Sequence, residues 1–474
     1  MRQLKTSHYS RPIVFHVQTG LFYSLDPLCE AILERCDGRL YEDIVFELMG
    51  EYEREEVAEA IKVLAEADLI TEASLQQIPT SLDKGNNPPE SVAGQGSFHI
   101  TLHVAHTCNM NCLYCFAHGG DYGRPAGVMP PDIARQAVRW ALREAKPLRK
   151  CQIDFFGGEP LLNFGLIREI VPYAREFADL VGVEVYFGIA TNGTVLSAEI
   201  IEFLTDEKIQ VQVSLDGNGT DQNRIRKFRD GSDTYDVVAE NLKIFTDRSP
   251  DRVSVHATMT SFNLDRKSIQ DSLKHVGACN VEVAPVVAAP QQPYALREEH
   301  LPAIKQRLYE LSRYEAERIL KGSHERGFFD GYMERLMTRA KACHGCQGGK
   351  TFMAVDIDGD IYFCSSLADR PEFKIGDVFS GLDSVVRKKL DDLFHVDSRS
   401  DCRSCWARNL CGGGCLYDAR TATGEPAKPN PVSCEQIRYS YELAMEMCLE
   451  IQGRDETLLE DRFNLRWVDV AHDN

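Results

Sequence analysis

Three closely spaced cysteines constrain this chain more than any other feature of its sequence. Cys108, Cys112 and Cys115 stand in the pattern C-x3-C-x2-C directly after an apolar, β-type segment. Thiolates hold iron–sulfur clusters, and a [4Fe–4S] cluster normally takes four of them. Because no fourth cysteine is near in sequence, such a cluster would keep one iron open for another ligand. A structural zinc site or a set of buried thiols is the alternative that this spacing alone leaves open.

The composition favours an intracellular protein whose cysteines bind metal. The opening segment lacks the apolar core of a signal peptide, and no apolar run is long enough to cross a bilayer, so we expect a cytoplasmic protein without a membrane partner. Cytosolic thiols stay reduced, so the 16 cysteines favour ligation over disulfides. The net charge of −19 and the absence of a long Lys/Arg block argue against nucleic acid as a partner. A peptide or small-molecule substrate is expected instead.

A second set of eight cysteines follows in the last third of the chain. Its two C-x2-C pairs are also ordinary zinc-ribbon spacing, so zinc remains the alternative to iron–sulfur clusters. The glycines of the segment CGGGC predict a tight turn that lets its two thiolates reach different sites. The eight residues are Cys343, Cys346, Cys364, Cys402, Cys405, Cys411, Cys415 and Cys434.

The central part of the chain alternates β-type runs with helical patterns. Between about residues 98 and 290 there are about six such units, which predicts an α/β fold with a parallel sheet and with its working loops at the carboxyl ends of the strands. Six units are fewer than the eight of a full barrel. The expected parts are a compact N-terminal domain (1–75), a linker (76–97), the α/β unit (98–297), a helical connector (298–342), a cysteine-rich domain (343–450) and a C-terminal tail (451–474).

The first cysteine group resembles the signature of the radical S-adenosylmethionine (SAM) superfamily. That signature is C-x3-C-x-aromatic-C at this place in a partial (β/α)6 barrel, and here Tyr114 is the aromatic residue. The segments FFGGEP, ATNG and SLDG follow in the order of the family's strand-end motifs. The resemblance implies that Cys108, Cys112 and Cys115 hold a cluster and that SAM binds its open iron. It implies that SAM is contacted by Tyr114, Gly157, Gly158, Glu159, Thr191, Asn192, Ser214, Asp216 and Arg226.

The eight later cysteines resemble the SPASM extension of radical SAM enzymes, which holds two auxiliary [4Fe–4S] clusters. The resemblance implies three clusters in all. Cys343 is closer to Cys346 than in the sulfatase-maturing relatives, which leaves its ligation open. Position by position, the first auxiliary cluster would take Cys343, Cys346, Cys364 and Cys415, and the second would take Cys402, Cys405, Cys411 and Cys434.

The N-terminal hairpin and three helical patterns resemble the small winged-helix-like domains that recognise peptides. Such domains add a substrate polypeptide as a strand to a sheet edge; a packing or dimerisation module is the alternative. The order of domains resembles the thioether-forming peptide maturases, among them those that link Cys to Asp and Glu in the small subunit of quinohaemoprotein amine dehydrogenase. The resemblance implies an external electron donor such as flavodoxin or ferredoxin.

Other activities stay open at this stage. They are a thioether in a different cysteine-rich peptide, a carbon–carbon cross-link, formylglycine formation, and a non-catalytic electron carrier. Sulfatase-maturing relatives place an aspartate after the cysteine that matches Cys364, and Ser365 here counts against formylglycine. A thioether synthase must also deprotonate the substrate thiol. Asp233 and Asp236 follow a strand and can serve as the base, with Asp236 preferred, although Asp236 can instead be a helix N-cap.

Overall fold

The computed structural model describes residues 2–4, 12–36, 38, 40–70, 96–455 and 457–464. The expected linker at 76–97 lies outside the described residues up to residue 95, and the expected tail is described only in part, as far as residue 464. Among these residues, no helix combines the length and apolar character needed to span a membrane.

The N-terminal part combines a small antiparallel sheet with three helices. Its strands lie in the order β1-β2-β3, so β3 is at an edge. Asp26 caps the first helix by accepting a hydrogen bond from the Cys29 backbone N–H at 2.7 Å. The helices bury a separate apolar core that includes Ile32, Ile44 and Val57. The elements are β1 (Arg2–Leu4), β2 (Ile13–Phe15), β3 (Phe22–Ser24), α1 (Pro27–Arg35), α2 (Tyr41–Leu48) and α3 (Arg54–Glu66).

The central part is a partial barrel of six parallel strands. The order β10-β9-β8-β7-β6-β4 places sequential strands side by side, with helices in the crossovers, and β5 pairs with β4. The elements are β4 (Phe98–His106), β5 (Gly127–Val128), α4 (Pro131–Glu144), β6 (Lys150–Gly157), α5 (Phe164–Val181), β7 (Glu184–Thr191), α6 (Ala198–Asp206), β8 (Gln210–Ser214), α7 (Gly219–Ile225), α8 (Tyr235–Arg248), β9 (Val253–Met259), α9 (Arg266–His275) and β10 (Asn280–Pro285).

Side chains alternate along each barrel strand between the core and the lumen. In β9 the apolar residues are buried beneath the helices, whereas Ser254, His256 and Thr258 are half-buried on the other face. The lumen is therefore polar and is bounded at its upper end by the strand-end loops. The predicted fold class, a partial (β/α)6 barrel, is confirmed.

The cysteine-rich part continues the barrel sheet. Strand β11 pairs with β4 in parallel, and β12, β13 and β14 extend the sheet by antiparallel pairing. This attachment fixes the cysteine-rich part beside the first barrel strand. Its elements are α10 (Leu301–Leu320), α11 (Asp330–Thr338), β11 (Phe352–Val355), β12 (Asp360–Tyr362), β13 (Lys374–Asp377), β14 (Gly381–Leu382), α12 (Ser384–Phe394), α13 (Ser400–Arg403), α14 (Arg408–Cys411), α15 (Leu416–Thr423), α16 (Pro431–Arg454) and α17 (Leu458–Phe463).

Candidate active site

The loop that carries Cys108, Cys112 and Cys115 follows β4 and is held by the segment after α7. The Asn111 N–H donates to the Lys227 carbonyl at 2.9 Å, and the Leu113 N–H donates to the Ile225 carbonyl at 3.1 Å. Arg229 donates from Nε to the Cys108 carbonyl at 2.6 Å. Sequence reasoning missed Arg229, because an isolated arginine carries no signal of the loop it will contact.

Two of the three thiols of this loop, those of Cys108 and Cys112, resist ionisation in the protein alone. Burial raises the pKa of Cys108, and it raises the pKa of Cys112 to about 11; the neighbouring Cys115 thiolate adds to both shifts. Metal binding must therefore displace protons from these thiols. Three thiols within electrostatic reach of one another on a single loop fit a cluster with one open iron. In the described part of the chain, no three His, Cys, Asp or Glu side chains are grouped as for a single metal ion.

Two glycines at the carboxyl end of β6 let the chain pass against the cysteine loop. Gly157 has a φ of +135°, and a Cβ there would lie 2.1 Å from the Ala105 carbonyl oxygen. A Cβ on Gly158 would lie 2.3 Å from the Thr107 carbonyl oxygen. The Gly158 N–H instead donates to the Ala105 carbonyl at 2.8 Å. The resemblance implied glycines for contact with SAM, and the structure adds contact with the cysteine loop as a second reason for them.

Glu159 joins the ends of β6 and β7. Its side chain is fully buried, and its Oε1 accepts from the Leu161 N–H at 3.0 Å and from the Thr191 hydroxyl at 2.8 Å. Its Oε2 accepts from the Asn192 N–H at 2.7 Å. Burial raises the pKa of Glu159, and these hydrogen bonds oppose the shift. The Asn192 amide donates towards Cys108 Sγ at 3.7 Å, so this network reaches the first thiol.

The half-buried Tyr114 joins the buried side chains of Asp216 and Arg226 in a hydrogen-bonded chain. The Tyr114 hydroxyl donates to Asp216 Oδ2 at 2.6 Å and accepts from Arg226 Nη1 at 2.7 Å. Asp216 Oδ1 accepts from the Thr258 N–H at 2.9 Å. Burial acts to lower the pKa of Arg226, but the negative charges of its neighbours together outweigh burial and raise this pKa well above its ordinary value. The guanidinium therefore stays charged. Arg226 Nε is buried and has no partner, which leaves one donor for an anion such as a carboxylate.

Ser214 lies at the end of β8 on the lumen side, beside His256 of β9. His256 in turn is in register with Glu282 of β10. Burial lowers the pKa of His256, while Glu282 and Asp216 act to raise it. The sequence analysis did not single out His256 or Glu282. Their signal was the alternation in β9 and β10, which turns every second residue into the lumen.

Asp236 is exposed in the first turn of α8. The N-cap of this helix is Thr234, so an N-cap role for Asp236 is wrong. Thr234 is fully buried and donates to the Arg226 carbonyl at 2.7 Å, which ties α8 to the arginine loop. Asp233 forms an exposed ion pair with Lys227. A role for Asp236 as the base stays a prediction.

The later cysteines fall into two groups in space. Cys346, Cys364 and Cys415 influence one another electrostatically; burial raises the pKa of Cys346 and Cys364, and it raises the pKa of Cys415 to about 11. Cys343 is exposed, and its carbonyl accepts from the Val396 N–H at 2.8 Å. Its place in this group stays a prediction.

The other group is Cys402, Cys405, Cys411 and Cys434. These four residues line one cavity of about 160 Å³. Burial raises the pKa of Cys402 and Cys411, and it raises the pKa of Cys434 to about 12. Four thiols around one cavity fit a cubane cluster with complete protein ligation.

Comparison with known proteins defines the class of this fold. Residues 102–276 match the family model of the radical SAM superfamily, and residues 13–70 match that of coenzyme PQQ synthesis protein D (PqqD). The chain therefore carries a radical SAM domain, whose superfamily implies a [4Fe–4S] cluster and SAM, after a PqqD-like domain.

The curated relatives include anaerobic sulfatase-maturating enzymes. The chain is 24% identical over 360 residues to the cysteine-type enzyme of Clostridium novyi, which covers 71% of this chain and 91% of that protein. It is 22% identical over 357 residues to the serine-type enzyme of Klebsiella aerogenes, which covers 72% of this chain and 83% of that protein. The solved structure of native anSMEcpe with bound AdoMet is similar with a TM-score of 0.63 and 21% identity, over 75% of this chain and 99% of that one.

Proposed function

We propose that the protein is a radical SAM peptide maturase that forms thioether bonds within a polypeptide, between Cys sulfur and side-chain methylene carbons of Asp or Glu. The observation that carries this proposal is the contact between the PqqD-like domain and the segment that carries Cys402, Cys405 and Cys411. Phe15 of β2 packs edge-on against Trp406 at 5.5 Å between ring centroids, and the Asn409 amide donates to the Val17 carbonyl at 3.2 Å. A peptide held by this domain is thereby delivered beside the cysteine-rich part.

Three [4Fe–4S] clusters and SAM are the proposed cofactors. The loop thiols of Cys108, Cys112 and Cys115 would hold the first cluster, and the two later groups would hold the auxiliary clusters. When bound, SAM and the first cluster supply a 5′-deoxyadenosyl radical that removes a hydrogen atom from the substrate carbon. The chain itself contributes binding and orientation. The unpartnered Nε of Arg226 suits the SAM carboxylate, while Tyr114 and Asp216 fix the guanidinium.

The substrate thiol must lose its proton before the carbon–sulfur bond closes. Asp236 remains the predicted base. His256 is a second candidate, because it lies on the lumen side of β9, in register with Ser214 and Glu282 of the two neighbouring strands. Bond formation between the substrate carbon radical and the thiolate yields the thioether and releases one electron. Cys346, Cys364 and Cys415 would hold the auxiliary cluster that accepts this electron. The exposure of Cys343 is consistent with an iron that is open to the substrate thiolate.

The proposed substrate is the small subunit of quinohaemoprotein amine dehydrogenase, with flavodoxin or ferredoxin as the electron donor. The resemblance of the domain order to the maturases of that subunit supports this choice. The alternative is another SPASM peptide maturase, including one that forms formylglycine, which the names of the sulfatase-maturating relatives favour. Ser365, at the position after Cys364, weighs against formylglycine.

Isotope transfer separates the two activities. Reconstituted protein would be incubated anaerobically with SAM, dithionite and substrate peptide deuterated at the Asp and Glu methylene carbons. The proposal predicts deuterium in the 5′-deoxyadenosine product. A matched peptide deuterated only at the Cys β-carbon is the control, and transfer from that peptide alone would contradict thioether formation and support formylglycine.

A further inference from the structure

Arg399 is the most deeply buried cation near the two auxiliary groups. Its side chain is 1% exposed and is the largest fully buried side chain among the described residues. It precedes α13 and therefore lies just before Cys402. Burying a guanidinium is costly unless hydrogen bonds and a counter-charge compensate for the lost water. The contacts of Arg399 therefore show which groups compensate for its buried charge.

The guanidinium is anchored to the turn that links the two cysteine groups. Nη1 donates to the Gly413 carbonyl, and Nη2 donates to the Pro426 carbonyl at 2.6 Å. Gly413 stands in the turn 411–415, which carries Cys411 of the second group and Cys415 of the first. An ideal Cβ on Gly413 would lie 3.4 Å from Arg399 Nη1, so the turn packs directly on the guanidinium.

Within the described ranges, the hydrogen bonds of the Arg399 guanidinium go to backbone carbonyls and not to a carboxylate, and its buried Nε has no hydrogen-bond partner. Burial lowers the pKa of Arg399, and the negative charges of four thiolates oppose this shift. Those thiolates belong to Cys402, Cys411, Cys415 and Cys434, which come from both groups. As ligands of the proposed clusters these cysteines would be thiolates, and their negative charge would then be the counter-charge of Arg399.

We propose that Arg399 is a positioning residue that raises the reduction potentials of the two auxiliary clusters. This proposal rests on the proposed function, in which formation of each carbon–sulfur bond releases one electron. A cluster that accepts this electron gains one negative charge, and a fixed cation in a water-poor site stabilises that reduced form. Arg399 thereby makes the auxiliary clusters better acceptors while its two hydrogen bonds fix the turn between them.

The test is a redox titration of the reconstituted protein without SAM or peptide, followed by electron paramagnetic resonance. A background with Cys108, Cys112 and Cys115 changed to Ala removes the signal of the first cluster. Arg399→Gln is expected to shift the auxiliary midpoint potentials to more negative values at unchanged iron content per chain. Arg399→Lys keeps the positive charge, and its auxiliary midpoint potentials are expected to stay close to those of the wild type.

Arg438→Gln is the matched control. Arg438 also lines the cavity of the second group, but it is 30% exposed and pairs with Glu435 at 2.6 Å, so its loss is expected to shift the potentials less. Unchanged potentials in a fully loaded Arg399→Gln variant would overturn the proposal. If Arg399→Gln loads less iron, the Arg399→Lys variant provides the test. Auxiliary potentials that fall in Arg399→Lys, although the charge is kept, would also overturn the proposal. A missing thioether product leaves this measurement unaffected, so the two proposals fail separately.

Discussion

The Tyr114 hydroxyl connects the two charged residues of the proposed SAM site. Among the hydrogen bonds of the described residues, it is the only group that joins the Asp216 carboxylate to the Arg226 guanidinium. Tyr114→Phe leaves buried charged atoms unpaired, so we expect a loss of about 1–3 kcal/mol in unfolding free energy and weaker SAM binding. Denaturant unfolding and calorimetric SAM titration measure the two effects. Tyr41→Phe, at an exposed tyrosine, is the control; equal losses in both variants would contradict this role.

Gly158 tests the contact between the strand-end loop and the cysteine loop. In Gly158→Ala the new Cβ would lie 2.3 Å from the Thr107 carbonyl, so the loops must separate. We expect iron retention by the first site to fall by an order of magnitude or more, measured in a variant that lacks the auxiliary cysteines. Gly165→Ala in α5 meets no atom within 4 Å and should retain iron normally. Normal retention in Gly158→Ala would show that the contact is dispensable.

The buried thiols predict how the stability of the metal-free protein depends on pH. The folded state raises the pKa of Cys112 from its ordinary value of 9 to about 11, so the stabilisation is complete below pH 9 and is lost as the pH rises towards 11. One pKa unit corresponds to about 1.4 kcal/mol, so the shift of Cys112 contributes roughly 3 kcal/mol to this loss.

Urea unfolding of the metal-free protein between pH 8 and 11 measures this slope. We expect Cys112→Ala to flatten the pH dependence, whereas Cys279→Ala, at an exposed thiol, should leave it unchanged. A slope in Cys112→Ala that equals that of the wild type would exclude Cys112 as its source.

Sequence reasoning found individual site residues better than their contacts. The resemblance of the cysteine spacing and the strand-end motifs to radical SAM enzymes named Tyr114, Asp216 and Arg226, and in the structure these three residues are hydrogen-bonded to one another. The hydrogen bonds that join these three residues depend on tertiary structure and could not be read from the sequence. Arg399 and Arg229 carry no local pattern at all, because only the folded chain shows which carbonyl groups and thiols they meet.

At the scale of elements, the six barrel strands were predictable because their hydrophobic runs alternate with helical patterns. The DGD segment between β11 and β12 is likewise a local turn signal. The parallel pairing of β11 with β4 was not predictable, because parallel pairing joins segments far apart in sequence and leaves no local trace. That pairing brings the first auxiliary group to the barrel.

The edge strand β3 gives a prediction about peptide binding. The Leu25 N–H donates to the Pro12 carbonyl, and the His16 N–H donates to the Leu21 carbonyl. Because hydrogen-bonded and non-hydrogen-bonded pairs alternate along an antiparallel ladder, the Ser24 N–H points away from β2. If the peptide adds to this edge, Ser24→Pro removes one main-chain donor and should weaken binding about tenfold. Ser24→Ala keeps the N–H and is the control. Fluorescence anisotropy with a labelled peptide measures both, and full affinity in Ser24→Pro would exclude this edge.

At the scale of the whole molecule, a PqqD-like domain, a radical SAM domain and a cysteine-rich part follow one another along the chain. The PqqD-like domain packs on Trp406, between Cys405 and Cys411 of the second auxiliary group. The first auxiliary group lies in the part that continues the barrel sheet beyond β4. Composition and motif order predicted an N-terminal domain, a partial barrel and a cysteine-rich part. The docking of the N-terminal domain on the cysteine-rich part emerged only from packing, since Phe15 and Trp406 are distant in sequence.

The most direct test of the central claim is mass spectrometry of the peptide product with and without thiol alkylation. The fully reconstituted protein would be incubated anaerobically with SAM, reductant and the small-subunit polypeptide. We predict the loss of two hydrogen atoms and of one alkylatable thiol per cross-link, with fragmentation placing each link between a Cys and an Asp or Glu. A product that loses hydrogen while every thiol remains alkylatable would contradict thioether formation.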